Sequence, residues 1–593
     1  MSGHTTRPTL RGTFGMVSST HWLASQSAMA ELEAGGNAFD AAVAAAFVLH
    51  VVEPHLNGPG GEVPAIFTTA ADPAPMVLCG QGTAPAAATL EHYRSLGLDL
   101  VPGAGPLAAA VPGAVDAWLM LARDLGSRPL RDVLSYAVGY ARSGHPLLPR
   151  AAAVVAGVEQ LFCDHWPTSA ERWIPHGRLP RGWETVTNPA YADVLDRLVA
   201  EGEAAGGDRE GQYDAARRAW REGFVAEALD GFQRLPFRDS SGHDHPGLVT
   251  GDDLAAWSPS YEPAVTHTFG GFEVAKTDLW GQGPVLLQSL AMLDRLPEGL
   301  RDPSTADGAH AIAEVLKLAF ADREAWYGDA SPLTVADLLD PAYVAQRATL
   351  VGETASAELR PGSPGGRVPR LPADPSPGSD VPDTAALGEP TVSRTGETRG
   401  DTCHLDVVDR WGNLVSATPS GGWLQSSPTV PELGFCLGSR MQMFRLDEGL
   451  PSTLGPRHRP RTTLSPTLVL RDGVPVLACG TPGGDQQDQW QLVFLLRHLV
   501  GGRELQQAID DPMFHTTSFP SSFYPRETEP AGLVAEDRLG DEVLAELARR
   551  GHRLTVAGPW TLGRLCAVAR DAESGLLSAA ANPRGAQGYA VGR

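Results

Sequence analysis

Past residue 402 the apolar pattern switches to a period of two, and it does so three times. CHLDVVD and LVSAT flank the turn RWGN, TLVL and VPVLACGT flank RDG, and LCAVARD and LLSAAAN flank AESG. Alternation of this length around a short Gly-containing turn marks a β-hairpin. Three hairpins within the last 593 − 401 = 192 residues call for antiparallel sheet. The helical stretches DQQDQWQLVFLLRHLVGG and GDEVLAELARRG lie between them and would cover it. The combination predicts an α/β (α+β) layered sandwich rather than a doubly wound parallel sheet.

The first 350 residues are mostly helical. HWLASQSAMAELEAGG and NAFDAAVAAAFVLHVVEP read as two helices, the first stopped at Gly35-Gly36 and the second capped by Asn37 with Asp40 three residues on. The second is apolar on all sides and should be buried. The glycines of LNGPGGEVPAIF (Gly58, Gly60, Gly61) suit close backbone approach before a strand at Ala65–Phe67. From 352 to 401 the chain is rich in Pro and Gly, without apolar periodicity, and reads as an extended or mobile tail.

Length allows two to four domains or one large α/β unit. The net charge of −23 argues against nucleic acid or an anionic membrane as a partner. No signal peptide and no apolar run of membrane-spanning length is read, and the six cysteines are widely spaced, so a cytoplasmic protein with reduced thiols is expected. Neither a P-loop nor H-E-x-x-H, G-x-S-x-G or S-x-x-K occurs. His243-Asp244-His245 reads as a surface turn, and neither metal nor other cofactor is expected.

That leaves Thr402. A threonine hydroxyl is a weak nucleophile without a base beside it. Cutting the chain just before Thr402 would supply one, since an α-amino group of pKa about 7.7–8.0 is substantially neutral near physiological pH. Gly483-Gly484, between a strand and a helix, could turn backbone N–H groups toward an oxyanion.

The order of these motifs resembles the γ-glutamyltranspeptidase family of N-terminal-nucleophile hydrolases. GMVSSTHWLASQSAMAELEAGGNAFDAAVAAAFVLHVVEPHLNGPGG, GTAPAAAT, AAAVPGAVDAWL, GDTCHLDVVDRWGNLVSAT, RPRTTLSPTLVLRDGVPVLACGTPGG and LQQAIDDPMFH carry the resemblance, in family order. It implies a four-layer αββα fold with an added helical region. It also implies a precursor that cuts itself between Asp401 and Thr402, giving a large subunit 1–401 and a small subunit 402–593 that share one core. Thr402 is then the nucleophile, Gly483 and Gly484 the oxyanion hole, and Ser420 stands where the family has a hydroxyl bonded to the nucleophile. Thr462 and Thr463 replace a serine pair at the substrate's α-carboxylate.

The departures concern the acyl group. Gln81 stands where the family has an arginine for the α-carboxylate, Met443 where it has an acid for the α-ammonium, and Gly422 where it has an asparagine. Each charge-assisted bond is worth on the order of 1.5–3 kcal/mol, so losing two weakens γ-glutamyl binding by roughly two to four powers of ten. Arg440 is either an exposed arginine or a relocated cation for a differently placed carboxylate. The expectation is a self-processing N-terminal-threonine hydrolase or acyltransferase on a small amide or activated carbonyl compound bearing a carboxylate, with altered acyl specificity. Three alternatives stay open: a genuine γ-glutamyltransferase or glutathione hydrolase, a carbon–carbon bond hydrolase of natural-product biosynthesis, and an inert processed scaffold. Homo-oligomer formation is left open.

Overall fold

The computed structural model describes residues 5–373, 402–584 and 587–593. All three expected hairpins form: Leu405–Asp409 with Leu414–Ala417, Thr467–Arg471 with Val474–Gly480, and Cys566–Arg570 with Leu577–Ala581. They are distributed over two seven-stranded sheets, in which every neighbouring pair is antiparallel.

The first sheet runs Tyr589–Gly592, Gly15–Ser19, Leu405–Asp409, Leu414–Ala417, Val63–Thr68, Met76–Gly80, Ser260–Pro263. The second runs Leu10–Gly12, Leu577–Ala581, Cys566–Arg570, Val474–Gly480, Thr467–Arg471, Phe272–Lys276, Val265–Phe269. Residues from both sides of position 401 contribute to each sheet. The two therefore belong to one core rather than to separate domains.

The sheets face each other across a layer of Met16, Ile66, Val77 and Val408 from the first and Leu468, Ala478 and Val568 from the second. Helices Trp22–Glu33 and Ala38–Val52 cover the far side of the first sheet, and Pro284–Leu293, Ala306–Trp326 and Gln487–Leu495 that of the second. The result is an αββα sandwich. Ala38–Val52 is buried along its whole length, as its largely apolar sequence suits, and the Asn37–Asp40 capping box closes its N-terminus. Helices Ala114–Leu125, Leu130–Ser143, Pro189–Ala205 and Arg209–Arg221 extend this side into the added helical region. Among the described residues no helix is long and apolar enough to cross a membrane.

Two boundaries differ from the sequence reading. The strand proper starts at Leu405, and Thr402 precedes it as an isolated bridge to Ser420. Of the 352–401 segment, residues 374–401 lie outside the described residues. Residues 352–373 have little regular structure but are held on helix Ala306–Trp326: Gly362 N donates to Asp322 Oδ1 (2.7 Å), and Lys317 Nζ to Ser356 O (3.0 Å). Backbone hydrogen bonds to buried charges hold a segment that apolar periodicity could not reveal.

Candidate active site

Strand parity fixes where the Thr402 side chain goes. Along Leu405–Asp409 the odd-numbered Cys403, Leu405 and Val407 face the helix-covered core, while Val408 faces the layer between the sheets. Thr402 shares the parity of Val408 and enters that inner layer, wholly buried. Its Oγ1 donates to Ser420 Oγ at 3.3 Å across the bridge. Ser420 in turn exchanges both backbone hydrogen bonds with Glu62 (2.9 and 3.0 Å). Val63 pairs with Gly80 on the next strand, so Gln81 continues the line. Four adjoining chain segments thus set Thr402, Ser420, Glu62 and Gln81 in one row at one end of the sheet.

The glycine loop before Glu62 makes this row possible. A Cβ on Gly58, Gly60 or Gly61 would lie 2.1–2.3 Å from the carbonyl oxygens of Gly422, Cys436 or Ser420. The close approach expected from the sequence is made to the very segment that carries Ser420 and Gly422.

Gly483 and Gly484 follow strand Val474–Gly480 and open the turn into helix Gln487–Leu495. Their φ values of 127° and 55° are conformations that favour glycine, and a Cβ on Gly483 would meet the Trp490 ring at 2.5 Å. Among the described residues no protein acceptor takes either amide N–H. The strand that delivers them ends against the segment that follows Thr402, since Gly480 packs on the His404 ring. Thr462 is anchored by its N–H to Trp280 O (2.9 Å), and the buried Thr463 hydroxyl has no partner among the described residues.

Arg440 is not an exposed arginine. It is buried, its Nε donates to Glu62 Oε1 at 2.6 Å, and its Nη1 has no partner among the described residues. Burial raises the Glu62 carboxyl above its ordinary range, with Arg440 opposing that rise. Met443 closes the 3-10 turn Arg440–Met443 and is fully buried. Gln81 is buried too, with its Oε1 unpartnered among the described residues, and it lines a cavity of about 360 Å³ with Thr83, Trp257, Glu262 and Arg459. By register Gln81 lies three strand spacings from Thr402, about 14 Å, and makes no direct contact with it. Asp401 lies outside the described residues.

Sequence reasoning missed Glu62. Its only signal was a lone acid directly after a glycine loop and before an apolar strand. It also missed Glu324, where burial alone would raise the carboxyl but Arg461, Arg323 and Arg445 together hold it well below the ordinary range. Among the described residues one group, His310, Glu314 and His552, is compact enough for a metal ion. Glu314 there already pairs with Lys317 Nζ at 2.7 Å, and none of the three belongs to the Thr402 row.

Removing Arg440 tests the pairing. A carboxyl whose folded value lies above its ordinary one favours folding when protonated, and that benefit is lost as pH rises through the folded value. Without its cation the Glu62 value climbs further. Arg440→Met is therefore expected to cost about 3–5 kcal/mol, more at pH 8 than at pH 5, in melts run at both.

A hydroxyl residue at the head of an inner strand of an antiparallel αββα sandwich defines the class of N-terminal-nucleophile hydrolases. The family model of gamma-glutamyltranspeptidase matches residues 24–592, and the chain belongs to that family. Over 98% of its length it is 30% identical to the glutathione hydrolase-like YwrD proenzyme of Bacillus subtilis (strain 168), covering 99% of that protein. It is likewise 30% identical to the oxamate amidohydrolase proenzyme of Klebsiella pneumoniae subsp. pneumoniae, over 98% of both chains. The solved structure of an LmbA2991 variant is 59% identical, with a TM-score of 0.93 over the whole of both chains. The protein is thus an enzyme of the proenzyme type, a hydrolase or acyltransferase.

Proposed function

We propose that the chain cuts itself between Asp401 and Thr402, and that Thr402 then transfers a short, carboxylate-bearing acyl group to water or an acceptor. In the first step Thr402 Oγ attacks the Asp401 carbonyl, the peptide C–N bond breaks and its nitrogen takes the hydroxyl proton. Water hydrolyses the resulting ester, freeing the Asp401 carboxyl and the Thr402 amine and hydroxyl. In turnover the amine takes the Oγ proton as Oγ bonds to the substrate carbonyl, and the carbonyl electron pair moves to oxygen beside the Gly483 and Gly484 N–H groups. The leaving group departs with the proton from the Thr402 ammonium. Water or an acceptor amine then resolves the acyl ester.

The observation that carries the specificity is the Arg440–Glu62 pair. Glu62 stands two strand spacings from Thr402, about 10 Å, against about 14 Å for Gln81, where the family arginine is lost. A cation held by Glu62 suits a carboxylate nearer the reacting carbonyl than that of a γ-glutamyl group. Thr462 and Thr463 supply hydroxyls from the segment that leads into strand Thr467–Arg471 of the second sheet, while Met443 and Gly422 offer nothing to an α-ammonium. The 30% identical relative named for oxamate, an amide with a carboxylate on its carbonyl, supports the same reading.

The test compares oxamate with γ-glutamyl p-nitroanilide on processed protein. A kcat/KM at least about 100-fold higher for oxamate is expected, matching the lost charge-assisted bonds. Faster turnover of the γ-glutamyl compound would restore glutathione-type chemistry.

A further inference from the structure

Behind Thr402 the inner face of the strand carries two more polar rungs. Asp406 pairs with Ser416, and the register continues through His404 and Thr418 to the Thr402–Ser420 bridge. His404 Nε2 lies 2.9 Å from Asp406 Oδ1, and His404 Nδ1 lies 2.9 Å from Thr418 Oγ1. All three side chains are wholly buried. On the same face Val408, Leu414 and Ile66 show that apolar residues fill this layer well. An imidazole and a carboxylate here cost several kcal/mol of desolvation that packing alone does not require. The second sheet even makes room for them, because Gly480 has no Cβ where one would lie 2.2 Å from the imidazole.

The chemistry of the three groups gives the row a direction. Burial raises the Asp406 carboxyl, and His404 is the first group that opposes the rise. From the second sheet the thiol of Cys566, raised by burial, faces the pair, while Cys479, also raised by burial, points to the helix-covered side. Lys276 on that sheet is tied to Asp488 (3.0 Å) and Thr467 (2.8 Å). When Asp406 is ionised it only accepts, and His404 Nε2 donates to it. In the neutral imidazole Nδ1 is then an acceptor, and it takes the single Thr418 proton.

We propose that Asp406 and His404 are positioning residues for Thr402, acting through a Thr418 oxygen that is left to meet the nucleophile rung as an acceptor only. This rests on Thr402 being the nucleophile. Successive rungs lie about 6.7 Å apart along the strand, a span that two leaning side chains or one bridging water closes. As Thr402 Oγ gives its proton to the α-amine, the ammonium formed needs an acceptor. Thr418, polarised through the imidazole by Asp406, is placed to be one.

Asp406→Asn reverses the direction. Its amide can donate to Nε2, which moves the imidazole proton to Nδ1 and turns the Thr418 proton toward the Thr402 rung. Self-cleavage and kcat, measured with the better of oxamate and γ-glutamyl p-nitroanilide, are expected to fall at least about 30-fold with KM within about threefold, as a wrong tautomer does in other relays. Thr418→Val should fall alike, and Thr418→Ser should restore most of that loss. If Asp406→Asn does not fold, the Val and Ser pair decides. Self-cleavage and kcat within threefold of wild type for Asp406→Asn and Thr418→Val overturn the proposal, as does a Ser variant no better than Val. Thr402→Ala separates the two readings. If that variant still self-cleaves, the nucleophile assignment fails, whereas an inert Thr402→Ala beside relay variants of normal rate removes the relay alone.

Discussion

Thr402→Ala is expected to leave a single uncut polypeptide of 62.6 kDa, where wild type yields fragments 1–401 and 402–593 by intact-mass spectrometry. The substitution removes one atom that matters and little else. The backbone bridge to Ser420 does not involve the side chain, and the hydroxyl contact at 3.3 Å is worth only about 1 kcal/mol of stability. Folding should therefore survive while chemistry does not. Turnover should fall at least about 10⁴-fold, the scale on which removing a nucleophile acts when it works as one unit with its base. Two fragments from the alanine variant would place the cutting group elsewhere.

Gly483→Ala is expected to be the second most damaging change, with kcat lower by about 10²–10³-fold, the cost of misplacing one oxyanion donor. Two separate obstacles act at this position. The backbone φ of 127° is one that a side chain rarely adopts, and the added methyl would lie 2.5 Å from the Trp490 ring. The turn must shift, and the N–H groups shift with it. Gly502→Ala separates strain from chemistry, because Gly502 also has a positive φ (62°) but opens onto free space. It should cost about 1 kcal/mol and leave turnover alone. Equal losses of turnover in both variants would mean that Gly483 acts through stability.

The hairpins and the first two helices were legible because each depends on neighbours in sequence: an alternation, a turn, a cap. Thr402 was legible because a change of composition meets a change of period there. The row itself was not. It depends on the register of four segments, and a slip of one residue in any of them would turn Glu62 or Gln81 to the opposite face. Arg440 illustrates the limit most clearly. Its partner Glu62 is 378 positions away, and nothing in SRMQMF marks that arginine as buried. The substitutions proposed to change the specificity were readable against the family pattern, but the burial of Arg440 against Glu62 needed the fold.

The interleaving of the two sheets has a consequence for how the mature enzyme can be lost. Each sheet combines strands from before and after position 401: in the first, Gly15–Ser19 lies between Tyr589–Gly592 and Leu405–Asp409, and in the second the four strands from after 401 lie between strands from before it. A cut there therefore severs the chain without severing the pattern. The uncut chain finds that pattern with one set of ends. Two separate fragments would have to insert strands between each other's strands, with loop closure turned into a bimolecular search. The assembled state would then outlast the instructions that made it, and its lifetime would be set by the height of the unfolding barrier rather than by any equilibrium with its parts.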